Sequence, residues 1–331
     1  MTRAAKENSV QRWGFVIAAS LSLGFPAICA AGIVGSTLNG APAGCTLGKV
    51  AELRVTMNDM RPVVEARING RDGKLVIDSS SYYNVISGAG ATESGLKLKP
   101  PPSFLAAKGP DGKPLLSIGV ADDFAVNDLR LKNIEFLAGG SLSSSGSEGL
   151  IGQTLFQSYD VEYDLANGVI RLMRPVGCGD AGLAYWATGK HTYSLVEISP
   201  TTPTQPFVSG VAMLNGAQVN VLFDTGATAS RISPQAAKRA GLTADPSELT
   251  DAGYAVGIGR PKVMTHLAPF ATLKLGDEEI RNLHLRIGDT RAGTDLLLGA
   301  DFFASHRIYV SNTQHKLYFT YNGGQVFSAS R

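Results

Sequence analysis

At 331 residues, 44% hydrophobic and 18% charged, the chain is long enough for two domains of ordinary size and apolar enough to fill their cores. The formal net charge is +2, and Arg3, Lys6 and Arg12 against Glu7 account for it, so the remainder is near neutral and carries no basic patch for nucleic acid. The three Cys and five His have no metal-ligand spacing, so neither metal nor cofactor is expected.

In chain order, three cations precede an uncharged stretch from Trp13 to Gly35, with Pro26 and small residues after its apolar core. Residues 1–35 therefore read as a signal peptide, and export to the periplasm is expected. The alternative is an uncleaved anchor, because the 22 uncharged residues from Gly14 to Gly35 are long enough to span a bilayer. Residues 36–49, rich in Gly, Pro and Ala, read as a linker.

Short runs of Val, Ile, Leu and Tyr separated by Gly, Asn, Asp and Pro predict a mostly β chain. In a first unit, residues 50–176, strands are expected at 51–57, 63–69, 74–78, 123–126, 134–137, 160–165 and 169–173. A glycine-containing hairpin tip is expected at 106–113 and a low-complexity loop at 141–147. Residues 177–190 form a connector. The second unit, residues 191–322, opens with a strand at 193–198. Strands at 207–214 and 219–224 follow, then a short helix at 234–240 with Pro234 at its start, and a loop at 254–260. Strands at 267–275, 283–288 and 296–299 come next, then a helical turn at 300–305 and strands at 307–311 and 316–321. Residues 323–331 read as a polar tail.

The two units are copies. Phe223-Asp224-Thr225-Gly226 has a counterpart 146 residues earlier in Ile77-Asp78-Ser79-Ser80. At the same offset Asn69-Gly70 matches Asn215-Gly216, Ile86-Ser87 matches Ile232-Ser233, and Gly95-Leu96 matches Gly241-Leu242. With one more residue of shift, Leu150-Ile151-Gly152 matches Leu297-Leu298-Gly299. Cys45 and Cys178 bracket the first copy. In an exported chain that placement predicts a disulfide tying its terminal strands, two separate buried thiols being the alternative.

Each copy places one Asp on a tight turn after an apolar strand. Two carboxylates held together cannot both ionise easily; one proton is shared and the pair titrates as a unit. One then serves as base toward a water and the other as acid toward a carbonyl. Thr225 and Ser79 supply hydroxyls that can bond the opposite turn. Gly226 allows close backbone approach and a conformation that a Cβ would strain. Gly299 permits a strand to pack beneath the turn.

Phe223-Asp224-Thr225-Gly226-Ala227, together with Leu297-Leu298-Gly299 and Leu298-Gly299-Ala300-Asp301-Phe302-Phe303, resembles the active-site signature of retropepsin-like aspartic proteases of the bacterial exported type. The resemblance spans both copies. It implies two tandem retropepsin-like closed β-barrel lobes with short helices, forming a pseudo-dimer. It also implies a catalytic pair Asp78 and Asp224 and a flap at Val256-Gly257-Ile258-Gly259, with a first-copy counterpart near residues 108–112. The first copy departs from the signature, because Ser80 stands where Gly is expected; its Cβ is expected to strain the turn if the backbone there needs a glycine conformation. Three readings follow. In the first, a monomeric exported endopeptidase with an internal dyad acts on a protein or peptide substrate. In the second, Asp224 pairs with its counterpart in a homodimer. In the third, the chain binds extended peptides by strand addition without cleaving them.

Overall fold

The computed structural model describes residues 42–105, 116–140, 146–187, 193–202, 205, 207–245, 248–255, 263–291 and 293–327. The expected signal segment, both expected flap tips and most of the 141–147 loop lie outside the described residues.

The strands form one barrel per copy and one sheet shared between the copies. In the second copy, strands Ser209–Leu214, Ala217–Phe223, Leu296–Leu298, Arg231–Ile232, Glu278–Ile287 and Val263–Leu275 are hydrogen-bonded in that order. Met213 and Leu214 then pair with Lys274 and Leu273, which closes a six-stranded barrel. The first copy repeats this ring with strands Arg61–Ile68, Arg71–Ile77, Gly149–Ile151, Val85–Ile86, Ile134–Ala138 and Ser117–Ala121. Here closure passes through a separate strand, Phe124–Val126, which pairs with Ala66–Ile68. Asp122 and Asp123 interrupt what the second copy builds as one 13-residue strand. Both barrels turn their first hairpin on Asn-Gly. Asn69 and Gly70 have φ of 50° and 85°, and Asn215 and Gly216 have 46° and 80°. Positive φ at both central residues is what a tight hairpin of the right twist requires, and Asn and Gly tolerate it best.

A third sheet runs Thr46–Arg54, Val169–Val176, Asp160–Asp164, His306–Ser311, Lys316–Tyr321, Ser194–Glu197. Its centre is an antiparallel pairing of Asp160–Asp164 with His306–Ser311 through Glu162 opposite Tyr309. Each copy contributes three strands, so a pseudo-twofold axis passes through this pair. Glu162 is fully buried there. It accepts from Arg171 Nη1 at 2.7 Å, Arg307 Nη2 at 2.6 Å and the Tyr185 hydroxyl at 2.6 Å. Removing either arginine leaves a buried carboxylate undercompensated, a change costing about 3–5 kcal/mol. Above the sheet, Tyr163, Phe223, Phe302, Phe303 and Phe319 are buried in one core that continues into both barrels. Cys45 and Cys178 are bonded to each other, with Cα atoms 4.3 Å apart. The bond joins the start of the first strand to the residues just after strand Val169–Val176.

Several elements differ from sequence expectation. Strand Thr46–Arg54 begins inside the expected linker, because Thr46 to Lys49 find partners in Val176 to Met173. Helix α1, Gly88–Glu93, was hidden by Gly88 and Gly90, which are poor helix formers. It is capped by Ser87, as α3, Pro234–Arg239, is capped by Ser233. The repeat offset alone would have located it. A second pair, α2 (Gln153–Phe156) and α4 (Ala300–Ser305), closes each copy's Leu-Ile-Gly or Leu-Leu-Gly segment. Strands Lys97–Lys99, Ser117–Ala121 and Leu129–Leu131 were not expected, and Thr250–Ala255 occupies the start of the expected loop. Phe327, in the expected polar tail, is buried and stacks against Phe302 with ring planes 21° apart.

Candidate active site

In both copies the strand before the turn is gripped by a second strand running parallel to it. Arg71–Ile77 pairs with Gly149–Ile151, and Ala217–Phe223 pairs with Leu296–Leu298. The last bond of each ladder fixes the aspartate: Asp78 N donates to Ile151 O at 3.0 Å, and Asp224 N to Leu298 O at 2.8 Å. The glycine after each supporting strand lies directly under the turn. A Cβ on Gly152 would meet Ser81 O at 2.6 Å and Tyr83 O at 2.5 Å; one on Gly299 would meet Ala229 C at 2.7 Å. No side chain fits at either place. Asp301 braces the second turn from below, accepting from Ser230 N and Ser230 Oγ at 2.9 and 2.7 Å, while Ser230 Oγ accepts from Gly299 N.

The two turns hold each other. Ser79 N donates to Thr225 Oγ1 at 3.0 Å, and Thr225 N donates to Ser79 Oγ at 3.0 Å. Thr225 Oγ1 donates to Ile77 O at 2.7 Å, and Ser79 Oγ donates to Phe223 O at 2.8 Å. These four bonds are two symmetric pairs at the 146-residue offset, and both hydroxyls are buried. The sequence-predicted partners Thr225 and Ser79 are thus brought together.

Asp78 and Asp224 stand on the two gripped turns, close enough for the Asp78 charge to act on Asp224. Gly226 lies against the Asp78 carboxylate so closely that a Cβ there would stand 2.6 Å from Asp78 Cγ. Asp78 Oδ1 accepts from Ser80 N at 2.9 Å, Ser81 N at 3.0 Å and the Ser80 hydroxyl at 2.8 Å. Asp224 Oδ1 accepts from Gly226 N at 2.9 Å and Ala227 N at 3.2 Å. Burial first, and then the neighbouring Asp78 charge, push Asp224 up to about 7. Asp224 is only 8% exposed, so its ionised form has little water to stabilise it. Arg231 opposes the rise through its charge.

Neither Gly226 nor Ser80 has a positive φ. The expected backbone strain at Ser80 is therefore absent. The third place of the turn needs glycine in the second copy for room beside Asp78, and not for conformation. Ser80 fits because its hydroxyl turns toward Asp78 and bonds it.

Two site residues escaped sequence reading. Arg61 Nε donates to Gly226 O at 2.9 Å, reaching from the first copy to the second turn. Arg231 sits just past that turn and acts on Asp224 electrostatically. No local motif marks Arg61; only the fold brings it across. The flap residues Val256, Gly257, Ile258 and Gly259 lie outside the described residues. Strands Thr250–Ala255 and Val263–Leu275, which bracket them, form a hairpin pairing Tyr254 with Met264 and Ala255 with Val263. Among the described residues, no group of three or more His, Cys, Asp or Glu is placed to hold a metal. No helix among them is long and apolar enough to cross a membrane.

Residues 64–155 and 211–302 each match the aspartyl protease family. The chain belongs to that family. Both matched stretches contain an aspartate turn with its supporting strand, so the family resemblance is carried by both copies. Among solved structures, the chain is similar to an aspartic proteinase from Irpex lacteus, with 11% identity over 82% of this chain and 97% of that one, at a TM-score of 0.47. It is also similar to a retropepsin-like aspartic protease from Rickettsia conorii, with 15% identity over 40% of this chain and 97% of that one, at a TM-score of 0.31. No curated protein matches the chain in sequence. The aspartyl protease family thus accounts for two tandem, mostly β lobes.

Proposed function

We propose that this chain is an aspartic endopeptidase that hydrolyses peptide bonds with Asp78 and Asp224 as an internal dyad. One observation carries the reading: the reciprocal Ser79–Thr225 grip holds both turns so that the Asp78 carboxylate packs on Gly226 beside Asp224. The roles follow from the surroundings. Asp224, pushed up to about 7, is the member that holds the proton. Asp78, with three donors on one oxygen, has the bonding pattern of a carboxylate and is the base.

In the reaction, water attacks the scissile carbonyl carbon while Asp78 takes one of its protons. Asp224 gives its proton to the carbonyl oxygen, and a tetrahedral gem-diol forms. Collapse reverses the flow: Asp78 protonates the leaving amine, the C–N bond breaks, and Asp224 recovers a proton from a diol hydroxyl. The substrate is a protein or peptide, and one chain supplies both carboxylates, so a monomer is sufficient. Export rests on the N-terminal sequence, and the disulfide fits an oxidising compartment. Fractionation of the producing cell, with the protein outside the cytoplasm, is the expected result.

The test is digestion of an unbiased peptide library by the purified protein from acid to neutral pH, with pepstatin as a control inhibitor. Wild type should cleave, and Asp224→Asn and Asp78→Asn should each abolish cleavage. Peptide binding without cleavage would replace this reading with the binding module. Activity that survives loss of Asp78 and depends on protein concentration would replace the internal dyad with a homodimer.

A further inference from the structure

The two copies present different walls beside their aspartates. Side chains alternate along a strand, so Val76 shares a face with Asp78, and Leu222 shares one with Asp224. Cross-strand partners extend each of these residues into a row. In the first copy Val76 stands opposite Leu150, Leu150 opposite Val85, and Val85 opposite Leu137. In the second copy the same rungs read Leu222, Leu297, Arg231 and Arg286. Val76, Leu150 and Val85 pack with Val63 into one apolar cluster. Where the first row ends in Val85 and Leu137, the second ends in two arginines.

Like charges opposite each other on one face repel, and the first copy shows that this rung folds with apolar residues. Both arginines are half-buried. Arg231 is close enough to the dyad for its charge to act on Asp224. Arg286 Nη1 donates to Ala252 O, on strand Thr250–Ala255, which ties it to the hairpin bracketing the expected flap. The carboxylates of the chain that feel these two charges are Asp224 and Asp301. Each of those already accepts from main-chain N–H groups, Asp224 from Gly226 and Ala227, and Asp301 from Ser230 and Phe302. A guanidinium stays charged at any working pH, and its planar fork of donors matches a carboxylate. An anion placed between two of them offsets their repulsion and gains charge-assisted hydrogen bonds.

We propose that Arg231 and Arg286 form a subsite for a carboxylate side chain of the substrate. The wall of Val76, Leu150, Val85 and Leu137 takes an apolar side chain across the pseudo-twofold axis. The substrate class is then an extended peptide with Asp or Glu on one side of the cleaved bond and an apolar residue on the other. This rests on the reading of the cleft as a peptide site, and it names what that cleft selects.

The experiment is calorimetric binding of the purified protein to a panel of reduced-bond peptides, whose central amide is replaced by CH2–NH so that nothing is cleaved. Each peptide carries one Glu, moved through the positions flanking that bond, and each has a Gln twin. At about pH 6 the Glu is ionised. At one position Glu should bind roughly 10–100-fold tighter than Gln, the worth of a hydrogen bond to a charged group. Arg231→Val with Arg286→Leu, which installs the first copy's residues, should remove the preference. Arg231→Lys, which keeps the charge, should retain it. Every comparison is Glu against Gln within one variant, so a general loosening of the cleft does not imitate the result.

Equal binding of Glu and Gln at every position in wild type overturns the proposal, as does a preference that survives the double substitution. Should the double variant fail to fold, Arg231→Val alone decides, and an undiminished preference overturns it. Cleavage of the peptide library with no acidic preference overturns the subsite and leaves the endopeptidase reading standing. Glu preference in a protein that cleaves nothing sinks the endopeptidase reading and leaves the subsite standing. Binding of no peptide at all overturns both.

Discussion

Thr225→Val tests the grip between the lobes. The substitution keeps the shape of the side chain and removes only the hydroxyl. In the wild type that hydroxyl donates to Ile77 O at 2.7 Å and accepts from Ser79 N at 3.0 Å, and Thr225 itself has no exposed surface. Valine leaves both main-chain groups without their hydroxyl partner. A buried polar group stripped of its partner costs about 1–3 kcal/mol, so two give about 2–5 kcal/mol after partial relaxation. Total stability is about 5–15 kcal/mol, so the loss is a large fraction of it. For a chain of this size the shift in Tm should be about 2 °C per kcal/mol, hence about 4–10 °C. The assay is thermal unfolding followed by near-ultraviolet circular dichroism. Thr225→Ser serves as the control and should lose about 1 kcal/mol for its missing methyl. Wild-type stability in Thr225→Val, within 1 kcal/mol, would show that the four-bond grip does not hold the lobes.

Three further predictions follow from neighbouring atoms. Asp224 is raised from an ordinary carboxylate value to about 7, so the folded state holds its proton more tightly than the unfolded state, and stability should fall as pH rises from about 4 to 7. The whole rise is worth on the order of 4 kcal/mol as a ceiling, and Asp224→Asn should flatten that slope in denaturant titrations at several pH values; an unchanged slope contradicts the assignment. Gly226→Ala should fold but lose peptide cleavage, because its Cβ displaces the Asp78 carboxylate; retained cleavage in the library assay would count against the packing described. Reduction of the Cys45–Cys178 bond, which closes a loop of 133 residues, should lower stability by about 2–5 kcal/mol, read as a drop in Tm with dithiothreitol that Cys45→Ser/Cys178→Ser reproduces.

Much of the site was written in short segments. An apolar run must end in an aspartate turn if its strand is to be buried and its carboxylate is to reach a cleft, and the 146-residue echo placed a second such turn. Asn-Gly at 69–70 and 215–216 fixed two hairpins because few residues accept positive φ. Helix α1 was illegible for the opposite reason: Gly88 and Gly90 disfavour a helix locally, and tertiary packing of Ala91 overrides them. The short strands Lys97–Lys99 and Leu129–Leu131 carry too few residues for a period to be read.

By itself, the sequence determined that two similar β units stand in tandem and that each carries one aspartate on a turn, because repeats and turn chemistry are properties of neighbouring residues. Tertiary structure decided which groups meet. The pairing of Glu162 with Tyr309 at the pseudo-twofold axis, the reach of Arg61 to Gly226, and the close approach of Gly226 to Asp78 depend on closing two barrels against one shared sheet. It also decided what the missing glycine means. At position 226 a Cβ would stand 2.6 Å from Asp78 Cγ and has nowhere to go, whereas at position 80 a side chain is accommodated and its hydroxyl bonds Asp78 of its own turn.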